Sequence, residues 1–327
     1  FFSCAGVAGA QGYTQEQIEE TLKPTVYIDF TPEIPGPNQN VTAKLSSSAT
    51  DLNKARITWT LNGVQQISKI GEKTFNFTTK NYGQNTTLRY TILTSKGITV
   101  DKTITIKPSE VDLLWEAESY TAPFYKGKGA FSYQNNITFL AVPHIIGSNG
   151  AEIPSANLIY KWKKNGFIIG EASGYGKNTF VTKGPAAAIP FSVEVEVTSL
   201  ANETAKSVTT IHPRKAEIVL YEKNPLYGIE FQKSMTGTEK LLEKEIAIVG
   251  VPFFFGVNSP VDKSLVYKWL INGVFIGNRE KKNLEIFRQK DDAYGTSNIS
   301  LSLNNSEEFL QSGSQSFSIT FEKNNEN

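Results

Sequence analysis

A short phrase occurs three times in the chain: ITWTLNGV from Ile57 to Val64, IYKWKKNGF from Ile159 to Phe167, and VYKWLINGVFIG from Val266 to Gly277. Each copy alternates residues across a strand, carries one tryptophan, and then breaks at Asn-Gly. Tryptophan supplies a large apolar surface, and Asn-Gly accepts the positive φ angles of a tight hairpin turn. Each copy therefore reads as strand, anchor and turn, with Trp59, Trp162 and Trp269 as core anchors. The tryptophans are spaced by 103 and 107 residues, about the size of one small β-domain. Three such domains are expected.

The 327 residues fit two or three domains, and a hydrophobic fraction of 39% suffices for folded cores. Lys+Arg 33 against Asp+Glu 32 leaves a formal net charge of +1, so no strong field steers the chain toward nucleic acid or anionic lipid. One Cys rules out an intrachain disulfide, so the domains must hold by packing. No stretch has the roughly 18 consecutive apolar residues of a membrane span.

The first residues, FFSCAGVAGAQG, read as the tail of a signal peptide, with Ala8 and Ala10 forming an A-x-A-like pattern and cleavage expected after Ala10. Lipid attachment at Cys4 is the alternative, although FFSC is a poor lipobox. Thr14 to Lys23 has the form of a short helix: Thr14 with Gln17 makes a capping box, Ile18 and Leu22 share a face, and Pro24 follows. Residues 1–23 are thus expected to be a signal-peptide remnant and helical lead-in.

From Pro24 the pattern changes to period two. TVYIDF, NVTAKL, ITWTLNGV, KTFNFTT, TLRYTIL and KTITIKP are short, β-branched and aromatic, with turn residues between them. Pro32, Pro35, Gly36 and Pro37 are expected to carry a crossing from one sheet to the other. NITFLAVPHIIG (Asn136 to Gly147) lines up with EIAIVGVPFFFG (Glu245 to Gly256), placing Val142-Pro143 over Val251-Pro252. KSVTTIHP and SFSITFEK close the second and third units as KTITIKP closes the first. The expected architecture is all-β, three tandem antiparallel sandwiches over residues 24–108, 109–214 and 215–327, the last with a short polar tail. Proline-bearing joints at Pro108-Ser109 and Pro213-Arg214 imply a semi-rigid rod.

YKWKKNG and YKWLING resemble the strand around the buried tryptophan of immunoglobulin-like domains and of the PKD-type sandwiches of microbial surface proteins, where a Tyr-x-Trp strand leads into a turn. The resemblance covers residues 24 to 323. It lacks the antibody-type cysteine pair, and Asn-Gly forms replace the PKD-type Asp-Phe-Gly-Asp turn. LYEKNPLYGI, from Leu220 to Ile229, is similar to exported bacterial proteins with tandem Ig-like modules. These resemblances imply a secreted or cell-surface role and no chemistry.

Candidate chemistry is sparse. His144 stands where the third unit has Phe253, and His212 precedes a joint; both read as packing surface, and two separated histidines make neither a triad nor a metal cluster. Glu116 with Glu118, Glu307 with Glu308 and Asp291 with Asp292 read as solvated charge rather than a glycosidase pair. Calcium at the joints would use Glu110 with Asp112 or Glu217 with Glu222; no cofactor or metal is expected. Seven Asn-x-Ser/Thr sequons begin at Asn40, Asn76, Asn85, Asn136, Asn202, Asn298 and Asn304, and they also suit exposed sheet edges. Phe253, Phe254 and Phe255 run consecutively, so strict alternation exposes at least one unless a bulge or neighbouring domain covers it. With Tyr227 they form the candidate contact surface; an interdomain contact is the other reading of the run. Tyr125, Tyr175 and Tyr227 could stack on sugar rings. The expected function is a non-enzymatic exported structural or adhesion protein whose partners are surface proteins or glycans. A carbohydrate-binding accessory and an enzyme on an Ig-like scaffold are the alternatives.

Overall fold

The computed structural model describes residues 24–186, 189–276, 282–291 and 293–322. The expected leader, Cys4 and the helical lead-in lie outside them, as does Asp292. The described residues form strands joined by turns, with two 3-10 turns, Leu52–Lys54 and Ser155–Asn157. None of their helices is long and apolar enough to cross a membrane.

The strands fall into three consecutive groups. The first holds β1 (Tyr27–Thr31), β2 (Asn40–Ser46), β3 (Arg56–Leu61), β4 (Val64–Ile70), β5 (Thr74–Thr78), β6 (Thr86–Leu93) and β7 (Thr99–Ile106). Next come β8 (Glu110–Ala117), β9 (Asn136–His144), β10 (Ile159–Lys164), β11 (Phe167–Ile168), β12 (Gly174–Tyr175), β13 (Thr179–Lys183), β14 (Phe191–Thr198) and β15 (Thr204–Ile211). The last holds β16 (Glu217–Asn224), β17 (Gly228–Ser234), β18 (Thr238–Lys240), β19 (Glu245–Phe253), β20 (Leu265–Ile271), β21 (Val274–Phe275), β22 (Leu284–Arg288), β23 (Gly295–Asn305) and β24 (Ser312–Phe321).

One sheet order repeats in every group. The sheets β1-β2-β5, β13-β9-β8 and β17-β16-β19-β22 correspond, and so do β4-β3-β6-β7, β11-β10-β14-β15 and β18-β24-β23-β20-β21. Thus β1, β2 and β5, β8, β9 and β13, and β16, β19 and β22 share one sheet of their group, while the tryptophan strand (β3, β10 or β20) pairs with its hairpin partner and with β6, β14 or β23 in the other, a division found in Ig-like sandwiches. Alternation explains the strands: β14, FSVEVEVT, buries every second residue against one face. Between β1 and β2 the proline-rich segment does not cross between sheets, because the two strands pair with each other from Tyr27↔Ser46 to Thr31↔Thr42. Its loop is tied down locally: the Gly36 N–H donates to Gln39 Oε1 at 2.7 Å, and the Thr79 hydroxyl donates to Gly36 O at 2.6 Å. Both sheets of the first group are antiparallel throughout, and in the third group β18 runs parallel to β24.

The chain divides into two compact units. Among the described residues, unit 1 comprises those within 24–111, 143–158 and 196–206, and unit 2 those within 112–142, 159–195 and 207–322. These units do not coincide with the three sequence periods. In unit 1 the core joins Val41, Ala43, Leu45 and Phe77 of one sheet to Ile57, Trp59, Leu88, Tyr90 and Ile92 of the other. In unit 2 a core of the same kind joins Ile218, Leu220, Ile248 and Phe287 to Tyr267, Trp269, Leu301 and Phe317. A second apolar cluster in unit 2 lies around Val249, Val251, Phe253 and Phe254.

Edge protection is visible on β4. A register shift between Trp59 and Thr60 leaves Gln66 unpaired, and Lys69 stands opposite core-facing Ile57. A bulge and a charge on the inward side of an edge both discourage pairing with another chain.

Candidate functional site

Aromatic and amide side chains at fixed spacing, as in the repeated phrase, are also what a recognition motif would use. All three tryptophans are buried, at 0, 0 and 1% exposure. Each indole N–H donates to a backbone carbonyl: Trp59 to Glu72 O at 2.9 Å, Trp162 to Lys177 O at 2.9 Å, and Trp269 to Lys282 O at 3.0 Å. A phenylalanine ring from the opposite sheet, on β5, β13 or β22, lies against each indole, with centroid distances of 5.5 Å for Phe75, 5.6 Å for Phe180 and 5.7 Å for Phe287. An indole donor inside a core must be paired. Here the pairing is built in three times.

The Asn-Gly pairs are equally committed. Asn62, Asn165 and Asn272 have φ of 50, 50 and 49°, and their glycines 84, 82 and 80°, as a two-residue hairpin turn of primed type requires. Each asparagine then does something the sequence did not reveal. Its backbone N–H donates to the next long strand, at Thr87 O (2.7 Å), Ser192 O (2.9 Å) and Asn298 O (2.8 Å). Its side-chain Oδ1 accepts from the same residue's N–H, at 3.0, 2.9 and 2.8 Å. The turn residue thus extends the β-ladder by one pair, which Gly at that position, with no side-chain acceptor, could not do. Tryptophan and Asn-Gly are both consumed by the fold.

Phe253, Phe254 and Phe255 face inward, with exposures of 9, 5 and 0%. This corrects their placement on an outer contact surface. β19 is buried along most of its length, EIAIVGVPF, because both its faces are covered. Phe255 joins the core between the sheets, while Phe253 and Phe254 face a segment of residues 118–135 that lies between β8 and β9. Tyr120 N–H donates to Phe255 O at 2.8 Å and Phe254 N–H to Tyr120 O at 2.9 Å. Phe124 packs on Phe231 and Phe253, and Tyr125 stands edge-on to Phe254 at 5.8 Å. Phe254 has φ 63°, in the left-handed region, which re-aims its ring out of the strand's alternation. Amides fix the far end of the segment. Gln311, 0% exposed, donates to Tyr133 O at 2.8 Å and to Asn135 Oδ1, and accepts from Gly256 N–H at 2.8 Å. Tyr125 is thereby a packing residue rather than a free sugar platform.

Of the four candidate contact residues Tyr227 alone is open, at 81% exposure, and Leu226 beside it reaches 85%. Both sit at the tip of the β16–β17 hairpin, whose strands close at Asn224↔Gly228. Asn224 Oδ1 accepts from Leu226 N–H at 2.8 Å and from Tyr227 N–H at 3.2 Å, and Gly228 takes φ 81°. An Asx-type turn therefore holds two large apolar side chains outward. Tyr175 is also exposed, on the edge strand β12.

The remaining candidates do not converge. His144 Nδ1 lies 2.9 Å from Glu152 Oε1 and its ring is edge-on to Tyr82 at 6.1 Å, whereas His212 is exposed on a closing strand's end. Glu217 and Glu222 lie five residues apart on β16, roughly 16 Å along the strand and on opposite faces, so they cannot share an ion. Glu110 and Asp112 are both exposed. Glu116 and Glu118 are exposed, and Glu118 Oε2 accepts from Asn136 Nδ2 at 2.9 Å; Glu308 pairs with Lys183 at 2.7 Å. Among the described residues no group of three or more His, Cys, Asp or Glu side chains is placed to hold a metal ion. All seven sequon asparagines are exposed. Two of these sequons face each other in register on β2 and β5, where the Thr42 and Thr78 hydroxyls donate to Asn76 and Asn40 Oδ1 at 2.7 and 2.8 Å.

One polar feature in unit 1 gave no sequence signal, because it is assembled from distant segments. Lys107 Nζ donates to Gly147 O at 3.0 Å and pairs with Glu203 Oε1 at 3.3 Å, both side chains being mostly buried. Burial alone would raise the Glu203 carboxyl, but hydrogen bonds from the Ser199 hydroxyl, its own backbone N–H and Lys107 outweigh it and hold the group below its ordinary range.

No family model and no curated protein matches the chain. In fold it is similar to solved tandem β-sandwich structures. The three N-terminal domains of the highly immunogenic outer capsid protein (Hoc) of bacteriophage RB49 are 11% identical, over 92% of this chain and 99% of that one, with a TM-score of 0.26. Fibronectin(III)-like modules of Clostridium thermocellum CbhA are 14% identical, over 64% of this chain and 95% of that one, at 0.23. A structure from a 1.5-MDa bacterial ice-binding adhesin is 10% identical, over 91% of this chain and 99% of that one, also at 0.23. At these scores the likenesses carry no argument about role. The class of this chain rests on its own sheet order.

Proposed function

We propose that the chain is a non-enzymatic, exported structural or adhesive protein of three Ig-like repeats, and that its contact with a surface partner is made by the Leu226–Tyr227 hairpin tip. The observation that carries this reading is the contrast between the two kinds of aromatic position. Trp59, Trp162 and Trp269, with their asparagines, are committed to the fold, while Leu226 and Tyr227 are held outward by a turn that fixes their backbone before any partner arrives. Preorganisation lowers the entropy lost on binding, and an outward tyrosine is a favoured anchor at interfaces. Export rests on the apolar, small-residue N-terminal run.

The test is saturable binding of the fluorescently labelled full chain to cell envelopes of its source. The doubly substituted Leu226→Ala/Tyr227→Ala chain should keep its melting temperature and lose most of the bound fraction. Binding that survives the double substitution would remove the tip from the account, and absence of any saturable binding by the natural chain would remove the adhesive role.

A further inference from the structure

We infer that unit 1 carries a cleft for a small neutral polyhydroxy compound, a sugar or polyol, between the loop at residues 33–35, the end of β7 and the turn at residues 201–204. The cleft has a volume of about 440 Å³, within the range of small-molecule sites. Its polar wall is Glu33, Asn85, Thr105, Asn202 and Thr204, and its apolar surface includes Ile34, Pro35 and Ile106. Two amides and two hydroxyls supply donors and acceptors together, which is what alternating hydroxyls of a polyol require, and the apolar patch suits its C–H face. Lys107 and Glu203 form the base and are rigid: Gly147 O and Glu203 take two of the three ammonium protons, and Ser199 holds the other Glu203 oxygen.

Charge selects against the other small ligands. Glu203 neutralises Lys107, which leaves Glu33 as the uncompensated charge in the wall. A phosphate or carboxylate would meet Glu33, whereas a divalent cation would find Glu33 as its single free carboxylate, fewer charged oxygens than such ions ordinarily take. The wall has no aromatic ring, so the stacking that tightens many sugar sites is missing and the affinity is expected to be low, in the millimolar class. The cleft is separate from the hairpin tip and does not rest on the adhesive reading.

The experiment is saturation-transfer NMR on the full chain with glucose, galactose and N-acetylglucosamine as probes, and with acetate and calcium tested by calorimetry. Asn202 has φ 67°, so Asn202→Gly removes its amide without backbone strain; it is combined with Asn85→Ala. Thr105→Val, on an exposed edge-strand position, is the second variant. At least one probe should show transfer with the natural chain, binding should weaken about tenfold or more in the double variant as two ligand hydrogen bonds are lost, and the melting temperature should hold. No transfer from any probe, transfer unchanged in both variants, or tighter binding of acetate or calcium would overturn the proposal. None of those results bears on envelope binding through Leu226 and Tyr227.

Discussion

Trp59 offers the sharpest quantitative test of the packing account. Its ring is 0% exposed, stacks on Phe75 at 5.5 Å and 18°, meets Tyr90 edge-on at 6.0 Å, and donates to Glu72 O at 2.9 Å. Replacing it by alanine removes the buried ring and leaves a cavity that two sheets cannot close, a loss of about 3–5 kcal/mol. Trp59→Phe keeps an aromatic ring but strips the Glu72 carbonyl of its donor, which costs about 1–3 kcal/mol. A chain with several cooperative units gives no single unfolding free energy, so the assay is hydrogen exchange resolved by segment. Protection of β3 and β6 amides should fall by a factor on the order of 10² to 10³ in Trp59→Ala, at about 1.4 kcal/mol per factor of ten, and by clearly less in Trp59→Phe. Amides of β20 and β23 should not change. The reasoning is refuted if β3 and β6 protection stays within about tenfold of the natural chain, or if phenylalanine is as damaging as alanine.

Other expectations follow from close contacts and charge. A Cβ on Gly184 would sit 1.9 Å from Phe131 Cε2; Gly184→Ala should therefore displace Phe131, cost about 1–3 kcal/mol, and raise proteolysis within residues 118–135. Gly273 has φ 80° and open space around its Cβ position, so Gly273→Ala should cost only the backbone strain of about 1–2 kcal/mol, read from β20–β21 exchange. Against the opposing effect of burial, hydrogen bonds from Ser199, its own backbone N–H and Lys107 hold the Glu203 carboxyl below its ordinary range in the fold. Its contribution is present above the ordinary carboxylate range and is lost as pH falls through the lower folded value. The difference in segment-resolved exchange protection of β7 and β15 between the natural chain and Glu203→Gln should thus be constant from neutral pH down to about 5 and shrink in more acid solution.

Features governed by neighbours in sequence were legible; features governed by distant segments were not. Alternation located β2, β3, β6 and β7, and Asn-Gly marked all three hairpins, because period and turn chemistry act over a few residues. The burial of Trp59, Trp162 and Trp269 followed from the same phrase. The phenylalanine partners Phe75, Phe180 and Phe287 went unnoticed, since they come from the opposite sheet. For Phe253, Phe254 and Phe255, alternation asked for an exposed ring unless something covered the strand. The cover is residues 118–135, over a hundred positions away, and no local pattern announces it. The prolines before β2 marked a sheet end, but their loop returns the chain to the same sheet. Tyr227 was readable from its glycine-bordered turn, whereas Leu226 and the Lys107–Glu203 pair needed the fold before they could be recognised.

The central claim is that the thrice-repeated phrase is a structural device in which asparagine both makes the turn and locks the next strand. The amides of Thr87, Ser192 and Asn298, which donate to Asn62, Asn165 and Asn272 Oδ1, report on it directly by hydrogen exchange. All three should exchange slowly, and Asn62→Ala, Asn165→Ala and Asn272→Ala should each release its own partner amide while leaving the other two protected. Fast exchange at these amides in the natural chain, or protection indifferent to the three substitutions, would contradict the claim.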